Sequence, residues 1–256
     1  MTGRETPSPD PPPRRRILYG RRKGRPLRPA RQALVDGLLR RIRVPLPGRN
    51  QGGAVGKAGL LDPRELFAGP QPFDAGPAGP FREVWLEVGF GAGEHLAAQA
   101  EANPEIAFIG CEPFLNGVAA ALARIDRGKL NNVRIYDDDA RVLLDHLAPG
   151  SLGRVFILFP DPWPKTRHAR RRFLSAETLD TFARVMARDA ELRFATDDPV
   201  CLRWALSVLI RHPEFAWRAR SPADWRHRPA DQPPSRYEEK ARAKGATPVF
   251  LVFARV

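Results

Sequence analysis

Val155-Phe156-Ile157-Leu158-Phe159-Pro160-Asp161-Pro162-Trp163-Pro164-Lys165 is the stretch on which the reading of this chain turns. Its first four residues form a short apolar run with β-branched members, the length of a buried strand rather than a helix. Prolines at alternate positions then exclude both helix and ladder pairing, so the backbone beyond Leu158 stays extended or turned. Asp161 therefore stands at the carboxyl end of a strand, where open α/β sheets place their ligands. A cationic run, Lys165-Thr166-Arg167-His168-Ala169-Arg170-Arg171-Arg172, follows at once. An acid beside an aromatic, with a basic platform behind it, points to chemistry performed on a polyanion.

On either side of this stretch the pattern alternates. Strands are predicted at 84–88, 106–111, 133–136 and 191–196. Helices are predicted at 94–102, 114–127, 140–147, 175–188 and 199–210, with Ser175 and Asp198 as N-caps and Pro199 in the first helical position. Short strands at 215–217 and 249–253 close the series. Repeated strand–helix alternation with short connections means a doubly wound α/β fold around a parallel sheet.

The chain has 256 residues, 43% of them hydrophobic, enough for one substantial core. Its formal net charge is +13 and its pI about 10.8, a balance suited to nucleic acid and unsuited to small neutral metabolites. Composition divides it into a disordered basic arm (1–31), a helix at 32–44 with a Gly/Pro-rich connection (32–80), and the main domain (81–256). Within the connection, Gly52-Gly53-Ala54-Val55-Gly56-Lys57-Ala58 lacks the Ser or Thr and the preceding strand that a phosphate loop requires. Cys111 and Cys201 have no partner at metal-ligand spacing and read as buried reduced thiols. No apolar run reaches bilayer length, and Arg14-Arg15-Arg16 lacks a following apolar region. The expectation is a cytoplasmic protein without metal.

The first strand runs into Glu87-Val88-Gly89-Phe90-Gly91-Ala92-Gly93-Glu94. Glycines at alternate positions allow a tight turn and close approach of a ligand. A dinucleotide fingerprint requires Gly at position 94; the Glu there disfavours a pyrophosphate. An acid followed by spaced glycines suits S-adenosylmethionine, whose amino-acid end is zwitterionic. Glu112 ends the second strand at the distance where such folds bind a ribose diol, and Asp139 follows the third, placed to flank an adenine. With Asp161, an acid thus follows each of four strands on one sheet edge.

These residues resemble the bacterial tRNA (guanine-N7-)-methyltransferase family, which modifies guanine 46 in the tRNA variable loop. The resemblance runs from about Arg21 to the end and is densest over 83–173. Its most specific pieces are Phe159-Pro160-Asp161-Pro162-Trp163-Pro164-Lys165 with Arg167-His168, and Ser235-Arg236-Tyr237-Glu238. It implies a Rossmann-like class I methyltransferase sheet, mostly parallel with an antiparallel late strand. It also implies S-adenosylmethionine as donor, held by Glu87, Gly89, Gly91, Gly93, Glu112, Asp139 and Asp161. Lys165, Arg167, Asp197, Ser235, Arg236, Tyr237 and Glu238 are then expected to serve the tRNA. Ser235 stands where the family usually has Thr, and Arg188-Asp189 replaces a glycine turn before the fifth strand.

Guanine N7 already carries its lone pair, so methyl transfer to it needs alignment rather than a strong general base. Asp161 is expected to orient the base and stabilise its developing positive charge. Trp163 reads first as a packing residue that fixes the loop, with base stacking as its alternative. Glu238, Asp197 and Asp161 all remain open as readers of the guanine edge, and Asp197 has a second reading as a helix cap. Two alternatives stand beside this function: methylation of another RNA base atom, and a non-catalytic RNA-binding protein on the same scaffold. No obligate protein partner is evident; the chain is expected to be a monomer or homodimer.

Overall fold

The structure, a computed structural model, describes residues 18–46, 60–74 and 80–256. The Gly52–Ala58 segment and the arm before residue 18 lie outside the described residues. The described chain forms helices α1 (Pro29–Asp36) and α2 (Leu38–Ile42), a 3-10 turn (Pro63–Phe67), and then the alternation β1 (Glu83–Val88), α3 (Glu94–Ala102), β2 (Ile106–Cys111), α4 (Leu115–Gly128), β3 (Val133–Tyr136), α5 (Ala140–His146), β4 (Leu152–Leu158). A second 3-10 turn (Thr166–Arg171) precedes α6 (Ala176–Val185), β5 (Met186–Thr196), α7 (Pro199–Leu209), β6 (Phe215–Trp217), α8 (Ala223–Arg226), α9 (Arg236–Ala243) and β7 (Val249–Arg255).

The seven strands pair in the order β3-β2-β1-β4-β5-β7-β6. The first five are parallel, and β7 runs antiparallel to both β5 and β6. This is the doubly wound, mostly parallel sheet with a late antiparallel strand. The strands β2 and β3 are buried at every position, the signature of a sheet covered on both faces. On one face Trp85, Phe108 and Phe156 pack under α2, α3 and α4; on the other, Leu86, Ile109 and Ile157 pack under α5, α6 and α7. The crossovers change direction between β1 and β4, which opens a crevice above their carboxyl ends. No helix among the described residues is long and apolar enough to cross a membrane.

Caps set the helix starts. Ser175 and Thr178 form a reciprocal capping box on α6, and Asp198 Oδ1 accepts from Cys201 N–H at 2.7 Å with Pro199 opening α7. The helix expected to run to residue 188 ends instead at Val185, and Met186 already pairs with Leu152 before the register of β5 shifts. Asp189 adopts φ 64°, so it takes the left-handed conformation that a glycine would supply there.

Three further segments differ from the sequence reading. The helix expected over 32–44 is broken at Gly37; α2 buries Leu38, Leu39 and Ile42 in the core, while Leu34 and Val35 of α1 pack against it only partly covered. Beyond α2, Val44 N–H donates to the Ile135 carbonyl (2.9 Å), so this segment covers the outer edge of β3. Residues 18–28 belong to the segment assigned by composition to a disordered arm, and 22–25 are tied to the start of α4. The Leu115 N–H, one of the donors a helix leaves open at its start, is satisfied by the Arg22 carbonyl at 2.9 Å. Asn116 fastens the same segment from both sides, accepting from Gly24 N–H and donating to the Arg25 carbonyl, each at 2.8 Å. Finally, residues 236–243 form α9, an element to which the sequence reading assigned no structure.

Gly93 joins the glycine turn to α3 at φ 75°, and a Cβ there would stand 2.5 Å from the Ala121 Cβ on α4. Gly93→Ala is therefore expected to destabilise the fold by about 1–3 kcal/mol through overpacking, with backbone strain in the same direction. Urea unfolding beside the parent protein measures it.

Candidate active site

The crevice at the carboxyl ends of β1, β2 and β4 holds a cavity of about 540 Å³. Its apolar floor comes from Val88, Cys111, Ile157 and Phe159, and its acids are Glu112, Asp138, Asp139 and Asp161. Gly89 and Gly91, at φ 74° and 59°, carry the chain around its inner wall. Neither could hold a side chain there without strain.

Glu112 ties this turn to the end of β2. Its Oε2 accepts from Gly91 N–H at 2.8 Å and its Oε1 from Phe114 N–H at 2.9 Å. Burial pushes the Glu112 pKa up, against the pull of those two bonds, and the neighbouring Asp161 and Glu87 carboxylates push it the same way. Asp139 caps α5 by accepting from Arg141 N–H and is paired to the Arg141 guanidinium at 2.7 Å. Among the acids after the four strands, Glu87 alone is turned away from the cavity. It is buried beneath the turn, where His95 Nδ1 lies 2.9 Å from its Oε2. Gly93 also stands outside the cavity lining, committed to the α3–α4 contact.

The loop after β4 is held by unusual backbone. Phe159 N–H continues the ladder by donating to the Ala195 carbonyl (2.7 Å), and both Phe159 and Trp163 then adopt positive φ, 50° and 42°. Bulky residues rarely take this region unless their surroundings over-determine them. Trp163 is so determined. His168 meets it edge-on with ring centres 5.7 Å apart, the Arg171 guanidinium lies 4.9 Å from its centre, and Arg172 donates to its carbonyl. Asp161, between the two strained residues, is exposed at the cavity rim. Lys165, Arg167 and Arg170 are exposed on the adjoining 3-10 turn.

Asp197 is exposed at the end of β5; the cap of α7 is Asp198. Ser235 caps α9, its Oγ accepting from Glu238 N–H at 3.1 Å. Glu238 is 4% exposed and lies between Arg228 and Arg242, 3.1 Å from each. Arg236 is exposed. Tyr237 lines the cavity, and its hydroxyl would stand 3.1 Å from a Cβ at Gly91. Burial and the Glu112 charge raise its pKa.

One contributor to the cavity has no counterpart in the sequence reading, and a second, Arg171, comes from the cationic run read as a phosphate platform. Leu18, Tyr19, Gly20 and Arg21 form one wall of the cavity, fixed by the Arg22–Asp138 ion pair at 2.7 Å. Arg171 lines the cavity as well and lies 5.0 Å from the centre of the Tyr19 ring. The only local signal for this wall is the apolar Ile17-Leu18-Tyr19 triplet inside an otherwise Arg/Pro-rich arm. No group of three or more potential metal ligands gathers among the described residues.

A family model described as "Putative methyltransferase" matches residues 82–251. The tRNA (guanine-N(7)-)-methyltransferase of Rhodospirillum rubrum is 48% identical over 238 residues, 93% of this chain and 87% of that one. The protein of the same name from Paramagnetospirillum magneticum is 47% identical, covering 93% and 92% of the two chains. That from Zymomonas mobilis is 39% identical, covering 94% and 95%. Among solved structures, the aminoglycoside resistance methyltransferase NpmB1 aligns with 69% of this chain and 88% of its own at 18% identity and a TM-score of 0.44. The close relatives match nearly end to end, so the chain belongs to the tRNA (guanine-N(7)-)-methyltransferase family.

Proposed function

We propose that this chain transfers a methyl group from S-adenosylmethionine to N7 of guanine 46 in the tRNA variable loop. The observation that carries the reading is the position of Asp161. It stands at the rim of a cavity walled by the glycine turn, and exposed Lys165, Arg167 and Arg170 follow it directly. A +13 chain meeting a polyanion supports the substrate class.

The residues present suit the donor. Gly89 and Gly91 offer a wall without side chains, Glu112 would accept ribose hydroxyls, Asp139 would flank the adenine, and Val88, Cys111 and Ile157 supply an apolar bed. Glu87 acts from below, through the buried His95 contact that supports the turn. Bound there, the donor supplies a methyl group on a sulfonium centre.

Asp161 orients the guanine and stabilises the positive charge that grows on its ring as N7 is alkylated. No proton leaves N7, so no general base is required. Lys165, Arg167, Arg170 and Arg236 neutralise phosphates around the target base. Glu238 is engaged by Arg228 and Arg242, and Ser235 by its own helix. Asp197 and Asp161 are therefore left as readers of the guanine N1–H and N2 edge. Trp163 holds the loop in shape.

The test uses tRNA transcripts that carry guanine or another base at position 46, incubated with S-adenosylmethionine and digested for mass spectrometry. 7-Methylguanosine formed only from guanine-46 transcripts supports the reading; any other methylated nucleoside overturns the acceptor.

Three further outcomes are expected. Asp161→Ala lowers kcat by about 10²–10³-fold while donor affinity changes far less, measured by single-turnover methylation and calorimetry. Donor affinity falls as pH drops through the raised Glu112 pKa, because the protonated carboxyl loses an acceptor; Glu112→Gln removes that acidic limb in calorimetry between acid and neutral pH. Neutralising Lys165, Arg167 and Arg170 lowers the slope of log affinity against log salt by roughly 0.7–0.9 for each phosphate that no longer meets a cation.

A further inference from the structure

Beside the cavity, the sheet face under α3 carries charges that the reaction above does not use. The register of β4 and β5 sets Arg154 beside Glu191 and Phe156 beside Arg193, all on the face where His95 packs against Phe156. Arg193 closes a two-pronged fork on Asp231, with Nη1 donating to Oδ1 at 2.7 Å and Nη2 to Oδ2 at 2.8 Å. Arg154, stacked 4.0 Å over the Trp85 ring, adds a third bond to Asp231 at 3.0 Å. Such paired charge-assisted bonds fix geometry as well as contributing energy. They hold the Asp231 pKa down at about 2, Arg193 being the larger cause.

Asp231 is anchored by its backbone too. Its carbonyl accepts from Gln99 Nε2 at 3.0 Å, and Gln99 Nε2 lies 3.5 Å from His95 Nε2. The His95 ring reaches Glu87, in the strand that leads into the glycine turn. Two routes thus converge on one loop residue, from β4 and β5 through the arginines and from β1 through α3. A few residues further on, Ser235 caps α9 and Tyr237 meets the turn at Gly91.

The arginines do not need Asp231 for their own sake. Glu191 already pairs with Arg193 at 2.7 Å and with Arg154 at 3.0 Å. Asp231, by contrast, has a side chain 54% exposed and belongs to no helix or strand. The fork therefore acts mainly on the loop. We propose that Asp231 is a positioning residue for methyl transfer: gripped by Arg193 and Arg154, it fixes the loop that sets Tyr237 against the glycine turn at the mouth of the cavity. This rests on the reading of that cavity as the methylation site.

The test compares Asp231→Ala, Tyr237→Ala and the double variant in steady-state methylation of unmodified tRNA, with hydrogen exchange on the same proteins. Asp231→Ala is expected to lose roughly tenfold to a hundredfold in kcat/KM, the scale of a small misplacement near reacting groups. Exchange should quicken over 228–243 while β4 and β5 keep their protection, because Glu191 still holds both arginines. The double variant should be no slower than the worse single one, since both losses pass through Tyr237. Asp231→Asn, which keeps the shape and one acceptor, should fall between Asp231→Ala and the parent. A fully active Asp231→Ala beside an impaired Tyr237→Ala overturns the proposal alone, as do losses that multiply in the double variant. Full activity in Tyr237→Ala overturns the proposal, whereas full activity in Asp161→Ala overturns the reading of the cavity and the proposal with it.

Discussion

The arrangement depends on one constraint: β1 pairs in parallel with β2 on one side and β4 on the other, while the chain winds away from it in opposite directions. Helices that leave to both faces cannot roof the gap between them, so the carboxyl ends of β1 and β4 share an open crevice. Because all the strands there end at one level, any residue just past a strand faces that crevice. The Glu112 and Asp161 carboxylates gather in it for this reason, although 49 residues separate them in the chain. Glu112 then links strand ends to turn by accepting from both Gly91 and Phe114. The same crowding of acids raises the Glu112 pKa, so the fold that builds the site also tunes it.

Much of this is legible in the sequence, and for a definite reason. Strands buried on both faces are mostly apolar, and 106–111 or 155–158 can be little else. Caps are equally local: Ser175 and Asp198 announce their helices within four residues. The failures are of two kinds. The helix α9 carries a local signal, a Ser three residues before a Glu, and the prolines ahead of it draw attention toward a loop instead. The segment 18–25 carries no signal beyond the apolar residues at its start. Its partners are Asn116 and Asp138, roughly a hundred residues away, and its own backbone makes most of the bonds. Composition describes it only as basic and proline-rich.

Among the candidate site residues, the same physical distinction decides which ones reach the cavity. Those set by strand position alone, Glu112, Asp139 and Asp161, arrive there. Glu87 shares the strand logic but points to the opposite face by the two-residue alternation of a strand, toward His95 rather than the ligand side. Glu238 illustrates a different rule: a carboxylate in the first turn of a basic helix is within reach of Arg242 one turn on, and Arg228 closes over it. A charge that looks available in a string of letters is spent on its neighbours once the helix forms.

The placement of β7 has a consequence for how the molecule comes into being. β5 is a strand of Leu192, Phe194 and Ala195 whose outer edge is covered by β7, and β7 lies beyond α7, α8 and α9 in the chain. During synthesis the five parallel strands leave the ribosome first, and the apolar edge of β5 waits uncovered until residues 249–255 follow. An unpaired edge of that kind is a template for joining another nascent chain. The loop and helix that carry Tyr237 to the cavity precede β7 in the chain, so the edge of β5 is covered only after that wall has been made.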